Sequence, residues 1–322
     1  MSVENIAVLT SGTDAPGMNA AIRAVVRTAI GNNVKIWGVF DGYRGLVDDN
    51  MKELSSVSVA DIIQRGGTFL GTSFCKRFYT KEGRQLAYEN LKKHNIEALI
   101  VIGGDGSLRG AEEFERETGF SVIGIPATIE NDIWGTDYAI GTDTAVNTIL
   151  KAINEIRDTA KAHQRTFILE VMGNKCGWLA TYSAVAGGGN MVIVPEDTYD
   201  EEKIINRVQQ LHDSGKSYLV ILASEGVGDM PKLVKDLEAK TGISTRLTVL
   251  GLVQRGGSPT ANDRVFASVL GEQATLAAIS GLHNIIFGMQ RGKIVCVDLR
   301  DAITNKKVYS EELRHLAEVI SF

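Results

Sequence analysis

Proline, cysteine and histidine are scarce in this sequence, whose 322 residues include five prolines, three cysteines and five histidines. The cysteines, Cys75, Cys176 and Cys296, stand far apart and form no Cys-x-x-Cys pair, which argues against a disulfide framework or a zinc site. The histidines form no His-Glu-x-x-His pattern, so the signature of a zinc protease is missing as well. No proline-rich linker marks a domain boundary.

Long apolar runs and an excess of basic charge are also missing. Runs such as Tyr218–Ala223 are much shorter than the ~20 residues of a membrane span. The segment Met1–Asn5 lacks the basic region of a secretory signal. The formal net charge of −5 disfavours a general nucleic-acid or membrane-surface binder. We therefore expect a cytoplasmic protein with neither nucleic acid nor membrane as a partner.

What the sequence does contain is an alternation of short apolar runs with amphipathic stretches. The predicted strands are Ile6–Leu9, Lys35–Phe40, Ala98–Ile102, Ser121–Ile125, Phe167–Met172, Tyr218–Ser224 and Leu247–Val253. The predicted helices are Ala20–Ile30, Arg84–His94, Thr144–Ala160, Glu201–Leu211, Met230–Lys240 and Val265–Ile279. This alternation predicts an α/β fold with a parallel sheet covered on both faces. The length suggests about two domains, at roughly 150 residues each.

One tetrapeptide, Gln-Arg-Gly-Gly, occurs twice, at Gln64–Gly67 and at Gln254–Gly257. Two copies of so short a string do not make a repeat architecture. We interpret them as two turns that each carry an arginine.

Ligands of open α/β sheets bind beyond the carboxyl ends of the strands, so the residues that follow each strand are informative. Thr10–Asn19 combines hydroxyls and glycines before a helix, a pattern typical of an anion site and equally of a plain strand–helix turn. Gly103–Ser107 follows another strand; its glycines let backbone amides approach a phosphate, and Asp105 is suited to Mg²⁺. Alternatively, Asp105 caps the next helix.

Carboxylates and arginines complete the set of candidate residues. Glu130 and Asp132 follow the strand at Ser121–Ile125 and would point the same way if the segment were extended; one could bind a metal and the other accept a proton. Glu225 closes a later strand and could accept sugar hydroxyls. Arginine suits bidentate phosphate binding, and candidates lie in later loops: Arg165, Arg246 and Arg255. The combination predicts phosphoryl transfer to a phosphorylated acceptor.

These motifs resemble the bacterial ATP-dependent 6-phosphofructokinase family from about residue 5 to the C-terminus. The segments that carry the resemblance are Thr10–Asn19, Gly103–Ser107, Pro126–Asp132, Gly135–Asp137, Met172–Gly173 and Gln254–Pro259. The resemblance implies a glycolytic, allosteric kinase with two doubly wound, Rossmann-like α/β lobes, parallel central sheets and the active site in the cleft between them. The nucleotide- and magnesium-binding lobe would span 1–140 and about 255–306, and the sugar-phosphate-binding lobe 141–254 and about 307–322. It also implies a homotetramer.

The resemblance assigns roles to particular residues. On the ATP side it places Thr13, Phe74, Cys75, Gly104, Asp105, Gly106 and Ser107, with Asp105 as the Mg²⁺ ligand. Catalysis would fall to Glu130 as base, with Thr128 and Asp132 at the transferred phosphate. Fructose 6-phosphate would be bound by Thr128, Ile129, Glu130, Arg165, Met172, Gly173, Asn174, Glu225, Arg246, Leu252 and Arg255. Within that set Arg255 would hold the 6-phosphate, with Arg165 and Arg246 of a neighbouring subunit.

Several of these positions depart from the family pattern. Thr13 replaces a glycine, Phe74 and Asn174 replace arginines, Glu130 replaces the catalytic aspartate, and Leu252 replaces a histidine. The small residues Gly106 and Ala127 favour ATP, because pyrophosphate-dependent relatives carry aspartate and lysine there. The family's effector-site cations are matched by Arg23, Arg27, Arg157 and Lys216, whereas Ser56, Asn190 and Ser214 replace an arginine, a glutamate and a lysine.

Two alternatives stay open from the sequence. The chain could be a kinase of the same fold with another donor or another sugar phosphate. It could also be a weakly active or regulatory paralogue that binds sugar phosphate.

Overall fold

The computed structural model of the protein describes residues 3–307 and 311–320. The segment 307–322, expected in the second lobe, therefore includes positions 308–310 and 321–322, which lie outside the described residues. The chain forms two compact units: unit 1 comprises Met1–Thr144 and Arg255–Lys307, and unit 2 comprises Ala145–Gln254 and Val308–Phe322.

Unit 1 is built on a seven-stranded sheet in the order β11-β10-β5-β4-β1-β2-β3. Its strands are β1 (Asn5–Ser11), β2 (Lys35–Val39), β3 (Met51–Glu53), β4 (Ala98–Gly103), β5 (Ser121–Pro126), β10 (Ile285–Gln290) and β11 (Lys293–Asp298). The five inner strands are parallel, and β3 and β11 pair antiparallel at the two edges. Strand β4, with the sequence Ala-Leu-Ile-Val-Ile-Gly, is buried along its whole length, as a strand covered by helices on both faces must be.

Helices cover this sheet, and their apolar sides form its core. They are α1 (Met18–Gly31), α2 (Gly42–Val47), α3 (Lys81–Lys93), α4 (Asp105–Thr118), α9 (Ala261–Ile279) and α10 (Leu299–Thr304). A short 3₁₀ helix, Lys76–Tyr79, precedes α3. Its Phe78 joins Phe114, Leu91 and Leu99 in one buried cluster.

Unit 2 has a four-stranded, all-parallel sheet in the order β7-β8-β6-β9. The strands are β6 (Thr166–Val171), β7 (Met191–Ile193), β8 (Leu219–Ser224) and β9 (Thr245–Val249). The helices are α6 (Trp178–Gly187), α7 (Glu201–Asp213), α8 (Met230–Thr241) and α11 (Glu311–Val319), together with α5 (Thr142–His163), which starts at the end of unit 1. Leu211, Leu233 and Leu237 pack on the sheet in a second core.

The predicted strand Leu247–Val253 is wrong in its second half. Strand β9 ends at Val249, and Gly251–Arg255 forms a 3₁₀ helix. Gly251 has a φ of 53°, which turns the chain out of the sheet. The amide side chain of Gln254 then fixes the turn, donating to the carbonyl of Gly251 and accepting from the backbone N–H of Met172. Apolar character alone does not reveal this side-chain anchor.

Gly66 and Gly257, one from each Gln-Arg-Gly-Gly segment, meet in unit 1. A Cβ added to Gly66 would lie 2.4 Å from the carbonyl oxygen of Gly257, so the backbones touch only because Gly66 has no side chain. The hydroxyl of Ser258 donates to the carbonyl of Gln64 at 2.7 Å. The side chain of Asn19 bonds the carbonyls of Arg65 and Gly66 from the other side.

No helix within residues 3–307 or 311–320 is long and apolar enough to cross a membrane.

Candidate active site

In unit 1, the loops after β1 and β4 lie against each other at the carboxyl edge of the sheet. The two strands are parallel neighbours, with Ser11 opposite Gly103. A Cβ on Gly12 would be 2.8 Å from the hydroxyl oxygen of Ser107, and one on Gly103 would be 2.6 Å from the carbonyl of Ser11. The glycines are thus required for the close approach of these loops. Thr13 is exposed beside them.

Helix α4 starts directly in this region. Gly104 is its N-cap residue and Asp105 its first residue, so Asp105 is not the cap that the sequence left open. The carboxylate of Asp105 accepts a hydrogen bond from the guanidinium of Arg109 one turn later, at 2.7 Å. Gly106 has open space around it, because a Cβ there would meet no atom within 4 Å. The free amides of a helix N-terminus favour an anion at this point.

The loop after β5 bends, so the segment that holds Glu130 and Asp132 is not extended as the same-side expectation required. Asn131 has a φ of 52°, a left-handed conformation that asparagine tolerates. Its buried amide donates to the carbonyl of Asp137 and accepts from the backbone N–H of Ala139. These bonds fix the turn, and the positions of Glu130 and Asp132 follow from it.

Thr128 anchors the start of the same loop. Its backbone N–H donates to the carbonyl of Ile140 at 3.0 Å, and its side-chain oxygen accepts from the backbone N–H of Glu130 at 3.2 Å. Ile129 is buried, whereas Glu130 is half-buried. A Cβ on Gly104 would lie 3.6 Å from Thr128, which places the loops after β4 and β5 side by side.

Asp132 is a mostly buried carboxylate with an unsatisfied oxygen. Its Oδ1 has no hydrogen-bond partner among the residues that the structure describes. Burial raises the pKa of Asp132, and the nearby carboxylate of Asp105 raises it further. An unsatisfied buried carboxylate oxygen near a second carboxylate fits a divalent cation, and Mg²⁺ suits such a site because it takes few protein ligands beside water and phosphate. In the described part of the chain, no cluster of three or more His, Cys, Asp or Glu side chains forms a larger metal site.

Phe74 and Cys75 lie in a segment that is hydrogen-bonded to the loop after β1. The hydroxyl of Thr72 donates to the carbonyl of Gly12 at 2.7 Å. Phe74 itself is exposed, whereas Cys75 is buried. The guanidinium of nearby Arg77 pairs with the carboxylate of Asp48.

In unit 2, the sugar-side candidates gather at the carboxyl edge of the sheet. Met172 and Gly173 directly follow β6, and Glu225 follows β8, its backbone N–H bonded to the carbonyl of Val171. The carboxylate of Glu225 raises the pKa of neighbouring Glu170, after the larger effect of burial. Asn174 is exposed beside Gly226, where a Cβ would lie 1.9 Å from the Asn174 carbonyl.

Leu252 and Arg255 lie in the 3₁₀ helix that follows β9. Leu252 is exposed in the 3₁₀ helix after β9. Arg255 ends that helix and is the first residue of the second segment of unit 1.

Arg165 and Arg246 lie at the opposite, amino edge of the unit 2 sheet. Arg165 precedes β6, and Arg246 is the second residue of β9, paired in register with Phe167. The carboxylate of Glu238 lies near both: Arg246 donates to it at 2.9 Å, and Arg165 adds a weaker attraction. At about 3.3 Å per residue, β6 separates these arginines from Met172 by roughly 20 Å.

The effector-site candidates fall on both units. Arg157 and Lys216 line one cavity of about 530 Å³ in unit 2, together with Asn190 and Tyr218. The amide oxygen of Asn190 accepts from the backbone N–H of Val220, which holds the side chain as part of the sheet. Arg157 donates to the carbonyls of Gly187 and Gly188 at the end of α6. Arg23 and Arg27 lie on α1 of unit 1.

Sequence reasoning missed the residues that hold the site in shape. Asn131, Asn19, Gln254 and Arg109 position loops or carboxylates through side-chain hydrogen bonds. The isolated asparagines and glutamine beside glycine-rich turns are the signal that could have indicated them, since such amides commonly bond the backbone of turns.

Two doubly wound α/β units, one with glycine, hydroxyl and carboxylate loops along a single sheet edge, define an α/β phosphotransferase. The chain belongs to the phosphofructokinase family, whose sequence profile ("Phosphofructokinase") matches residues 5–278. It is 47% identical over 319 residues to the ATP-dependent 6-phosphofructokinase of Bacillus pumilus, covering 99% of this chain and 100% of the relative. It is 46% identical over the same length to the enzyme of that name from Clostridium botulinum, with the same coverage.

Solved structures are similar as well. Phosphofructokinase from Saccharomyces cerevisiae matches with a TM-score of 0.85 at 33% identity, over 98% of this chain and 46% of the yeast chain. This chain therefore spans about half the length of the yeast protein. A pyrophosphate-dependent phosphofructokinase from Marinobacter aquaeolei has a TM-score of 0.86 at 22% identity, over 99% of this chain and 91% of its own, which is a likeness of fold.

Proposed function

We propose that this chain transfers the γ-phosphoryl group of ATP to the 1-hydroxyl of fructose 6-phosphate, giving fructose 1,6-bisphosphate and ADP, as a 6-phosphofructokinase of glycolysis. The observation that carries the proposal is the edge of unit 1, where the glycine loops after β1 and β4 lie beside Thr128, Glu130 and Asp132. Glycine loops hold phosphates and carboxylates handle the metal and the proton, which are the parts that phosphoryl transfer requires.

ATP binds at the loops after β1 and β4. The amides that start α4 face its phosphates, and Gly104 and Gly106 let them approach without a side chain in the way. The open space at Gly106 and the small Ala127 suit a nucleotide donor. Thr13, Ser107 and Cys75 are the other residues of this region that we assign to ATP binding.

Asp105 and Asp132 would hold Mg²⁺ through their carboxylates. The ion would neutralise charge on the phosphates in the transition state. The Oδ1 of Asp132, which has no hydrogen-bond partner among the described residues, would supply one ligand, and the hydrogen bond from Arg109 fixes the position of the Asp105 carboxylate.

Glu130 acts as the general base that takes the proton from the 1-hydroxyl. Thr128 orients Glu130 because its side-chain oxygen accepts a hydrogen bond from the Glu130 backbone N–H. The turn at Asn131 keeps both residues in place. Because glutamate is one methylene longer than aspartate, the carboxylate reaches about 1.5 Å further from the backbone.

Fructose 6-phosphate is bound by residues of more than one subunit. Met172, Gly173, Asn174 and Glu225 at the carboxyl edge of unit 2 bind the sugar, with Ile129, Leu252 and Arg255. Arg165 and Arg246 lie at the other edge of that sheet, so they serve the 6-phosphate of a neighbouring copy. This arrangement supports a homo-oligomer, which we propose to be a tetramer.

A steady-state assay of the purified protein with fructose 6-phosphate tests the proposal, with MgATP and Mg-pyrophosphate compared at equal concentration. We expect turnover with MgATP, little with pyrophosphate, and loss of turnover on removal of Mg²⁺ with EDTA. Turnover that prefers pyrophosphate would overturn the donor assignment. Sugar-phosphate binding without turnover from either donor would favour the regulatory alternative over an enzyme.

A further inference from the structure

Two large aromatic rings stand exposed next to the donor loops. Phe74 is 70% exposed and Tyr79 is 69% exposed, although both are large and apolar enough for a core. The rings are in contact, with centroids 5.5 Å apart and planes inclined at 42°. Single exposed apolar residues are ordinary, but a contacting pair forms a patch that needs an explanation.

The chain between the two rings is rigidly attached to the donor side of unit 1. Phe78 is buried and stacks on Tyr43, with ring centroids 3.9 Å apart and planes 12° from parallel. The hydroxyl of Tyr43 donates to the carbonyl of Ser107 at 2.6 Å, in the first turn of α4. Tyr79 also lies close enough to raise the pKa of Tyr43, after the larger effect of burial.

The other end of this segment is fixed to the neighbouring loops. The hydroxyl of Thr72 bonds the carbonyl of Gly12 in the loop after β1, and that of Ser73 bonds the carbonyl of Asp41 at 2.8 Å. The pair is therefore held between the loop after β1 and the first turn of α4. A ligand with a planar apolar group and a phosphate tail fits both features at once.

We infer that Phe74 and Tyr79 form a stacking surface for the base of the nucleotide donor, so that donor affinity in this chain depends on aromatic contact at these positions. The inference rests on the proposed function and specifies its donor side. Aromatic rings stack on any base because every base has a π-face, so we expect little discrimination between ATP and GTP. Since ring stacking involves no ion pair, this part of the affinity should also be insensitive to salt.

Equilibrium binding of MgADP without sugar phosphate tests the surface independently of turnover, with magnesium tripolyphosphate as a probe that has no base. Phe74→Ala and Tyr79→Ala should weaken MgADP binding on the order of 5- to 100-fold and leave tripolyphosphate binding unchanged. Phe74→Trp keeps a ring and should keep the affinity. Leu86→Ala removes a comparably placed exposed apolar side chain on α3 and is the matched control.

The opposite results are equally clear. Wild-type MgADP affinity in both alanine variants would overturn the inference. An equal loss of affinity for MgADP and for tripolyphosphate would mean that the rings shape the phosphate-binding loops. A smaller assembly in sedimentation, with unchanged MgADP affinity, would mean that the rings contact another copy of the chain. Either result also overturns the inference.

The same experiment separates this inference from the proposed function. If wild type phosphorylates fructose 6-phosphate but the alanine variants bind MgADP normally, only the inference fails. If the rings determine MgADP affinity but wild type does not phosphorylate fructose 6-phosphate, only the proposed function fails.

Discussion

In the proposed mechanism Glu130 is the general base, with a side chain longer than aspartate and on a turn fixed by the Asn131 amide. The amide of Asn131 bonds the backbone on both sides of that turn, so the extra length has to be taken up by the Glu130 side chain itself. A misplacement of about 1 Å in a fixed site can cost on the order of 10²-fold in rate.

We predict that Glu130→Gln removes most turnover at saturating MgATP and fructose 6-phosphate, because the amide cannot accept the proton. Glu130→Asp should also be slower if the site has adapted to glutamate, whereas a rise in kcat would mean that wild type is a poor catalyst. Binding of fructose 6-phosphate should persist in both variants. Wild-type kcat in Glu130→Gln would remove Glu130 from the role of base.

In the protein without Mg²⁺, the ionised carboxylate of Asp132 should lower the free energy of unfolding. Burial and the carboxylate of Asp105 raise its pKa, so the folded state binds that proton more tightly than the unfolded chain does. The resulting stabilisation is present below the unfolded pKa and is lost as the pH rises through the raised folded pKa.

Asp132→Asn should therefore unfold at a higher temperature than wild type at pH 8, on the order of 2–4 °C, with a smaller difference near pH 4. The same variant should lose Mg²⁺-dependent turnover. Thermal unfolding in EDTA at several pH values measures the first effect, and the exposed Asp158→Asn serves as control. If the difference in unfolding temperature between Asp132→Asn and wild type became smaller as the pH rises, the raised pKa of Asp132 would be wrong.

At the scale of elements, the packing of α3 against α4 depends on one buried arginine. Arg84 of α3 has a side chain only 5% exposed, and it donates to both carboxylate oxygens of Glu117 on α4. Its third contact is the carbonyl of Phe78, in the 3₁₀ helix that carries Tyr79.

Arg84→Ala should lower the free energy of unfolding by about 3–5 kcal/mol, because a partly buried carboxylate loses its partner. Arg116→Ala on α4 removes an exposed cation and should cost less than about 1 kcal/mol. Urea unfolding compares the two. The hydrogen bond from Arg84 lowers the pKa of Glu117, so the stabilisation is lost as the pH falls through that lowered pKa. If the two substitutions lowered the free energy of unfolding equally, the Arg84–Glu117 pair would add no more to stability than an exposed ion pair.

The sequence predicts helices and strands correctly where the spacing of apolar residues distinguishes the two. Strand β4 and helix α5 follow directly from their patterns, and the α/β fold class is confirmed. The pattern failed at Leu247–Val253, where Gly251 and the side chain of Gln254 end the strand, and at Asn131, whose amide bends the loop. In both places a side-chain amide bonds the backbone of its own turn, which apolar periodicity does not encode. The glycine loops and the carboxylates could be identified because they directly follow strands. Nothing in the sequence indicated Tyr43 and Tyr79, because their position depends on the stacking of Phe78 on Tyr43 and on the bond from Tyr43 to α4.

At the scale of the whole molecule, Arg165 and Arg246 are separated from Glu225 by the length of the sheet, so two copies should complete one site. Arg246→Ala and Glu225→Ala should each be nearly inactive. Mixed after dissociation and reassembly, they should recover about one quarter of wild-type activity if pairs form at random around a two-fold axis. Two copies of the same variant, treated alike, are the control. No recovery in the mixture, despite mixed assemblies in mass spectrometry, would contradict the shared site.

Effector control should be weak in this chain. Among the described residues, Arg157 and Lys216 give the unit 2 cavity positive charge, but its Asn190 offers no carboxylate for a nucleotide-bound metal. We predict little activation by ADP and at most modest inhibition by phosphoenolpyruvate, measured on the fructose 6-phosphate saturation curve. A strong ADP-driven shift of a sigmoidal curve would contradict this, and Lys216→Ala should remove whatever response remains.

The sheet of unit 1 is not continuous in the chain, and this has a consequence for synthesis. Strand β5 pairs with β10, but all of unit 2 up to Gln254 is translated between them. At about 5–20 residues per second, the nascent chain carries the edge of β5 unpaired for many seconds on the ribosome. Such an open, apolar edge invites pairing with other chains. Premature termination near Gln254 should therefore yield an aggregating fragment that occupies chaperones, because β10, the strand that pairs with β5, would be missing.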